Sequence, residues 1–197
     1  TEIYDIARTR LFQDVDEDAA AQVAQAYAAF YRSDPWRDLL PQESRDAGYE
    51  ELLRRAYPFH PSIIKVLYER WGSLPNFQRT RGVLRLLALV VGALYTRDSN
   101  AALIQPSHID LDDSSIRREF VKLVDSAYET VIGSDIAGHS AKAPQIDRKL
   151  GGDYAQEHIA QRLATSIFLY SHSGGMDIGA VLPQLRLSLL NPDIAPA

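Results

Sequence analysis

A mainly α fold is what this sequence predicts, and three observations carry the prediction. Apolar residues recur at spacings of three and four along most of the chain. Asp, Ser or Pro stands before several of these stripes, and Gly or Pro stands after them. No stretch alternates apolar and polar residues as a half-buried strand would, and no internal repeat is visible. The 197 residues are 46% hydrophobic and 24% charged, the composition of an ordinary globular protein. Against 26 Asp and Glu there are 21 Lys and Arg, and the net charge of −5 argues against a general DNA-coating role.

The elements follow in chain order. Ile3, Ile6, Ala7 and Leu11 form a first short stripe. Asp16 or Asp18 caps a second helix with Val23, Tyr27, Phe30 and Tyr31 inside, ended by Ser33-Asp34-Pro35. A polar, Pro-containing stretch runs to Glu43, and Ser44 then caps a third helix holding Leu52 and Leu53. In Tyr57-Pro58-Phe59-His60-Pro61, Pro61 suits the first position of a fourth helix, where its missing N–H costs nothing. His60 is then the cap, and Phe59 packs on Ile64 as a hydrophobic staple. This helix runs through Leu67 and Trp71 and stops at Gly72.

The fifth helix runs from near Arg79 to about Tyr95. It is apolar all round after Arg85, so it is the expected central, buried helix. Gly92 costs roughly 1 kcal/mol against Ala there, an amount that close approach of a neighbouring helix offsets. Residues 96–113 are polar, with a short extended piece from Ala101 to Gln105. Asp112 or Asp113 caps a sixth helix with Ile116, Phe120, Leu123 or Val124, Ala127 and Val131, closed by Gly133. Residues 133–153 read as a long mobile connector with one helical turn. A seventh helix puts Ile159, Leu163, Ile167 and Tyr170 on one face and ends before Gly174-Gly175. A short helix near Pro183 to Leu190 follows. A composition shift near residues 98–110 divides the chain into helical subdomains over residues 1–108 and 109–197.

Absences narrow the chemistry. Without Cys there is no disulfide framework, Cys-based zinc site, iron–sulfur cluster or thiol nucleophile. No P-loop, dinucleotide-binding glycine motif, zinc-protease helix motif or nucleophile elbow occurs. His60, His108, His139, His158 and His172 never fall at i, i+3 or i+4, so no local metal pair forms. Asp110-Leu111-Asp112-Asp113 lacks the Gly and Glu of a calcium loop and reads as helix capping. Thr1 stands first and Met176 is the single Met, so a processed or excised piece is expected. The longest apolar stretch, Val83 to Tyr95, falls short of the about 20 residues a bilayer requires. With no charged-then-apolar leader in view, a cytoplasmic location without membrane contact is the expectation.

One local cluster points to ligand chemistry. Arg79, Arg81 and Arg85 stand at the start of the most apolar helix, with Arg81 and Arg85 on one face. Two like charges at that spacing cost about 0.2–0.5 kcal/mol in an isolated helix and become favourable around an anion. Helix-start N–H groups add to the attraction, Arg forks suit phosphate, and Gly82 would let a ligand near the backbone. The alternative is plain pairing with acids such as Glu69 or Asp110.

Two stretches around this cluster resemble a family. They are Tyr57-Pro-Phe-His-Pro through Trp71, and Phe77-Gln-Arg-Thr-Arg-Gly-Val-Leu-Arg-Leu-Leu-Ala88. They resemble large prokaryotic AAA+-type ATPases of poorly defined function, often encoded beside DNA methyltransferase or restriction genes and suspected in phage defence. Val131 to Ala143 with Ile146-Asp147, and Arg162 to Ser171, look like the same family. The resemblance implies an orthogonal helical bundle of the AAA+ lid type, followed by helices like a truncated winged-helix start. It implies that Gly82-Val83-Leu84-Arg85 is the G-x-x-R turn of a sensor-two arginine. Arg85 would then touch nucleotide phosphate, with Arg81 and Arg79 secondary. It also implies a P-loop core upstream in the same polypeptide that binds ATP and Mg²⁺, with no cofactor, metal or catalytic residue in this chain. DNA or a DNA-modification protein is the further implied partner. Two other functions compete with this one. One is a helical protein- or DNA-binding module with no part in nucleotide chemistry; the other is a self-contained helical hydrolase, for which no convergent set of residues is visible.

Overall fold

A computed structural model describes residues 2–173 and 178–192 of the chain. The described residues are mainly α-helical, as the sequence predicts. Helix α1 spans Glu2–Leu11, α2 Glu17–Arg32, α3 Tyr49–Ala56, α4 Pro61–Lys65 and α5 Arg79–Thr96. Helix α6 spans Ser114–Val121, α7 Ala127–Val131, α8 Lys142–Leu150, α9 Gly152–Gln156, α10 Ile159–Tyr170 and α11 Leu182–Leu189. Among the described residues the sole β pairing is an isolated parallel bridge between Phe59 and Ile104. There the Ile104 N–H donates to Pro58 O and the His60 N–H to Ile104 O, each at 2.9 Å. The expected extended piece at 101–105 is therefore one rung long.

Capping residues explain several starts. The Asp16 carboxylate accepts from the N–H groups of Asp18 and Ala19 at the start of α2. His60 caps α4, its Nδ1 accepting from the Ser62 N–H, with Pro61 in the first turn. Asp113 caps α6 through the N–H groups of Ser115 and Ile116. Beyond α4 the chain winds into a π turn at Val66–Arg70 and a 3₁₀ turn at Trp71–Ser73.

Two apolar clusters hold the molecule together. The larger gathers α1, α4, α5, α6 and α10 around Phe59, Leu67, Trp71, Leu86 and Phe120. The smaller joins α2, α3 and α11 around Tyr31, Leu53, Leu103 and Leu187. Fully burying such a side chain contributes about 1.5–3 kcal/mol. Both clusters mix residues from either side of residue 108. Hydrogen bonds reinforce that mixing. The Trp71 indole Nε1–H donates to Leu169 O, and Arg70 donates to Tyr170 O at the end of α10 and to Gly179 O beyond it. The Gln105 amide donates to Leu187 O and Leu190 O at the end of α11.

Several expectations need correction. Ser44 does not cap the third helix: its hydroxyl donates to Pro41 O inside a 3₁₀ turn, and Gly48 precedes α3. Helix α5 is not buried all round. Val83, Leu86, Leu87 and Val90 face the core, whereas Ala88 and Gly92 are exposed and Tyr95 is 88% exposed. Nothing approaches the place of a Gly92 side chain, so no close helix contact offsets its cost. The sixth helix is not continuous. It breaks after Val121, and the Asp125 carboxylate accepts from the Ala127 N–H at the start of α7. Gly133 does not close it but lies within a π turn, Ile132–Ile136.

The connector over 133–153 is largely helical, because α8 buries Ala143, Pro144 and Asp147. The Asp147 carboxylate reaches the first turn of α10 and accepts from the N–H groups of Ala160 and Gln161. In α10, Tyr170 is buried as expected, but Ile167 is 46% exposed, and Thr165, Ser166, Phe168 and Leu169 face inward as well. The predicted Gly174-Gly175 stop lies outside the described residues. No described helix is long and apolar enough to cross a membrane.

Candidate functional site

The start of α5 is built on a close backbone approach. Gln78 and Arg79 have positive φ values of 53° and 31°, so the chain turns sharply into the helix. No side chain caps this helix start. A Cβ on Gly82 would collide with the carbonyl oxygen of Phe77 and crowd its ring. Gly82 is buried and makes room for Phe77, which anchors the turn in the larger cluster.

The three arginines spread from this turn. Arg79 lies over the Tyr68 ring, 5.2 Å from its centroid, in a cation–π contact. Arg81 is exposed and makes no ion pair among the described residues. Arg85 pairs with Glu119 of α6 at 2.5 Å, yet its side chain stays 58% exposed. Glu119 is 13% exposed and holds Lys122 at 2.7 Å with its other oxygen. Each of the three is exposed, and none lines the cavities described below. Neither Glu69 nor Asp110 is the partner of Arg85; Asp110 pairs with Arg97.

A second polar constellation lies at the opposite end of α5. A cavity of about 800 Å³ opens between residues 97–112, α9 and α10. Arg97, Asp110, Asp112, Glu157 and Arg162 bring charge to its wall, and His108 brings a polar ring. The Asp112 carboxylate accepts from the Gly138 N–H and the Gln161 amide, so it ties three segments together rather than capping α6. Arg162, 11% exposed, pairs with Glu157 at 3.6 Å and donates to Ser107 Oγ at 3.1 Å. Its Nη2 also faces His108 Nε2 at 3.1 Å, and its Nε is buried without a hydrogen-bond partner.

His108 Nδ1 accepts from the Gln105 N–H at 2.9 Å. Burial, then the charge of Arg162, pushes the His108 pKa down to about 3, so the ring is neutral near pH 7. Burial likewise lowers the Arg162 pKa. A smaller cavity of about 480 Å³ has Glu43, Asp46, Lys65 and Glu69 among its lining. No group of three or more His, Asp or Glu among the described residues is arranged to hold a metal ion.

Sequence reasoning found the arginine cluster because three residues of one type stand close together in the chain. It missed the larger cavity because its wall draws on segments some 50 residues apart, with no spacing rule to link them. The local trace was Gln105-Pro106-Ser107-His108, a short 3₁₀ turn in which His108 closes back on the Gln105 N–H.

The class these features define is an all-helical domain that carries an exposed arginine cluster and a separate polar cavity. Comparison with family models places it further: residues 1–185 match the DUF499 second domain, and the chain belongs to that family. No curated protein and no solved structure matches the chain.

Proposed function

We propose that this domain is the arginine-presenting helical part of a larger AAA+-type ATPase, with Arg85 touching the phosphate of a nucleotide held elsewhere in the polypeptide. One observation carries the reading: Arg85 is paired yet more than half exposed, and its partner Glu119 has a second cation in Lys122. The Arg85 end of the pair lies in solvent, where an ion pair is worth about 0.2–1 kcal/mol, while Glu119 is largely buried and keeps a cation in Lys122. A phosphate can therefore draw Arg85 away cheaply, and Glu119 keeps Lys122. Arg81 sits one turn earlier on the same face, and Arg79 stands beside it at an uncapped helix start. ATP and Mg²⁺ belong to the absent core, and no catalytic residue is assigned to this domain. The mechanism is electrostatic. Arg85 exchanges Glu119 for phosphate while the triphosphate is intact and returns after phosphate leaves, moving the helical domain with it.

The description of the family as a second domain supports a reading in which it works beside another domain. A DNA-related defence role follows from the family resemblance alone. The alternative of a basic nucleic-acid stripe has less support, because Arg54 pairs with Glu17 and Glu51, and Arg55 with Asp5.

The test is Arg85→Ala in the polypeptide that includes the residues preceding Thr1. ATP hydrolysis is expected to fall about 10-fold or more, the scale of one charge-assisted phosphate contact, with an unchanged melting temperature. Unchanged hydrolysis and nucleotide affinity, or no Walker loop in that polypeptide, overturns the reading.

A further inference from the structure

We infer that the cavity at the C-terminal end of α5 binds the carboxylate of a small polar molecule, gripped by the Arg162 guanidinium and the Nε2–H of His108. The argument starts from hydrogen-bond direction. A backbone N–H can only donate, so His108 Nδ1, 2.9 Å from the Gln105 nitrogen, must be the accepting ring nitrogen. A neutral ring then carries its proton on Nε2. That nitrogen faces Arg162 Nη2 at 3.1 Å, and a guanidinium has no lone pair to offer. Two donors therefore confront each other on the wall of an open cavity. Arg162 Nε, buried without an acceptor, adds to the surplus. Buried donors are nearly always matched, so a surplus of this kind marks the place of an absent acceptor. One oxyanion placed against Nε2–H and the guanidinium edge satisfies both.

Charge chooses the oxyanion. Arg97 and Arg162 are the wall's two guanidinium groups, and Asp110, Asp112 and Glu157 are its three carboxylates. Two of these acids are paired, to Arg97 and Arg162, while Asp112 is held by an amide and an N–H. With His108 neutral, these five groups sum to one net negative charge, which opposes a dianion about twice as strongly as a single carboxylate. A carboxylate carries a single charge and fits a planar fork. Ser99, Asn100 and Gln156 supply donors and acceptors for the rest of a hydroxylated or amide-bearing molecule, and about 800 Å³ is ample for one. This site is independent of the nucleotide reading.

The test uses the 197-residue chain with ¹⁵N-labelled His and Arg side chains. Sodium acetate and sodium phosphate are titrated separately at constant ionic strength, balanced with sodium chloride. Acetate is expected to shift the His108 Nε2–H and Arg162 Nε–H signals to saturation, with a tighter midpoint than phosphate. Arg162→Lys keeps the charge but removes the fork and should weaken the acetate midpoint about 10-fold. Asp112→Asn, which removes one wall charge, should tighten both midpoints and narrow the gap between the ions. No saturable shift in the unaltered chain overturns the site, as does an acetate midpoint that Arg162→Lys leaves in place. Phosphate binding as tightly as acetate overturns the choice of carboxylate. If Arg162→Lys does not fold, the unaltered chain and Asp112→Asn still decide.

Discussion

The two ends of α5 solve opposite problems with similar residues. Its 18 residues separate them by about 27 Å at 1.5 Å per residue. At the first end a glycine is buried, the backbone turns through positive φ, and three arginines project outward. At the far end a glycine is exposed, Tyr95 stands in solvent, and Arg97, itself 54% exposed, pairs with Asp110 on a cavity wall. An arginine's meaning thus comes from what surrounds it. At the first end Arg79 rests on the Tyr68 ring, Arg81 has no ion pair among the described residues and Arg85 meets Glu119 on an open face; at the far end Arg97 meets Asp110 on the wall of a hollow.

Acid should have the largest effect, through His108 on the cavity wall and through the buried His60. His108 has a pKa near 3 in the folded chain, and so does His60, which burial, then the charge of His108, lowers. The unfolded values lie near 6.5. Between about pH 6.5 and about pH 3 the unfolded chain binds protons that the folded chain excludes, so stability falls as pH falls. The penalty is absent above about 6.5. Urea unfolding should show a loss of about 1.4 kcal/mol per pH unit for each histidine below that, and His108→Gln should roughly halve the slope. A flat profile between about pH 6.5 and 4 would contradict the histidine burial described.

One substitution applied at both ends sharpens the contrast, because it should change sign. Gly82→Ala drives a methyl group into Phe77 and should cost about 1–3 kcal/mol. Gly92→Ala meets open space in a helix and should stabilise by about 0.5–1 kcal/mol. Thermal melts would place the two variants on opposite sides of the parent, by about 2–4 °C per kcal/mol at this chain length. Equal signs would mean that the buried turn at Phe77 is not what the glycine serves. The smallest effect belongs to Arg85→Ala, which removes a cation that is itself in solvent and leaves Lys122 on Glu119, so stability should change by less than about 1 kcal/mol. A larger loss on denaturant unfolding would make Arg85 a structural residue.

Much of the helical order was legible, for local reasons. Asp16, His60 with Pro61, and Asp113 each mark a helix start by chemistry that acts within three residues. Ser44 misled because a hydroxyl that can cap a helix can equally close a 3₁₀ turn on Pro41. The break after Val121 and the order in 133–153 were illegible because distant partners decide them. The clearest case is the carboxylate of Asp147 on α8, which satisfies N–H groups of α10. An unbroken apolar run also overstated how far α5 is covered, since a sequence shows which residues tolerate burial and not which receive it. The arginine cluster could be found by proximity along the chain; the cavity, assembled from remote segments, could not.

The π turn at Val66–Arg70 makes this region sensitive to chain length. It holds one residue more than an α-helical turn would, and a residue added or lost rotates everything beyond it by about 100°. Arg70 closes this turn and Trp71 follows it, and they donate to Tyr170 O and Leu169 O at the end of α10. Relatives that kept every side chain but dropped one residue here would aim those two groups at the wrong neighbours. Insertions and deletions should therefore be rarer across Val66–Ser73 than in the loops on either side, a pattern that counting gaps among related chains would reveal.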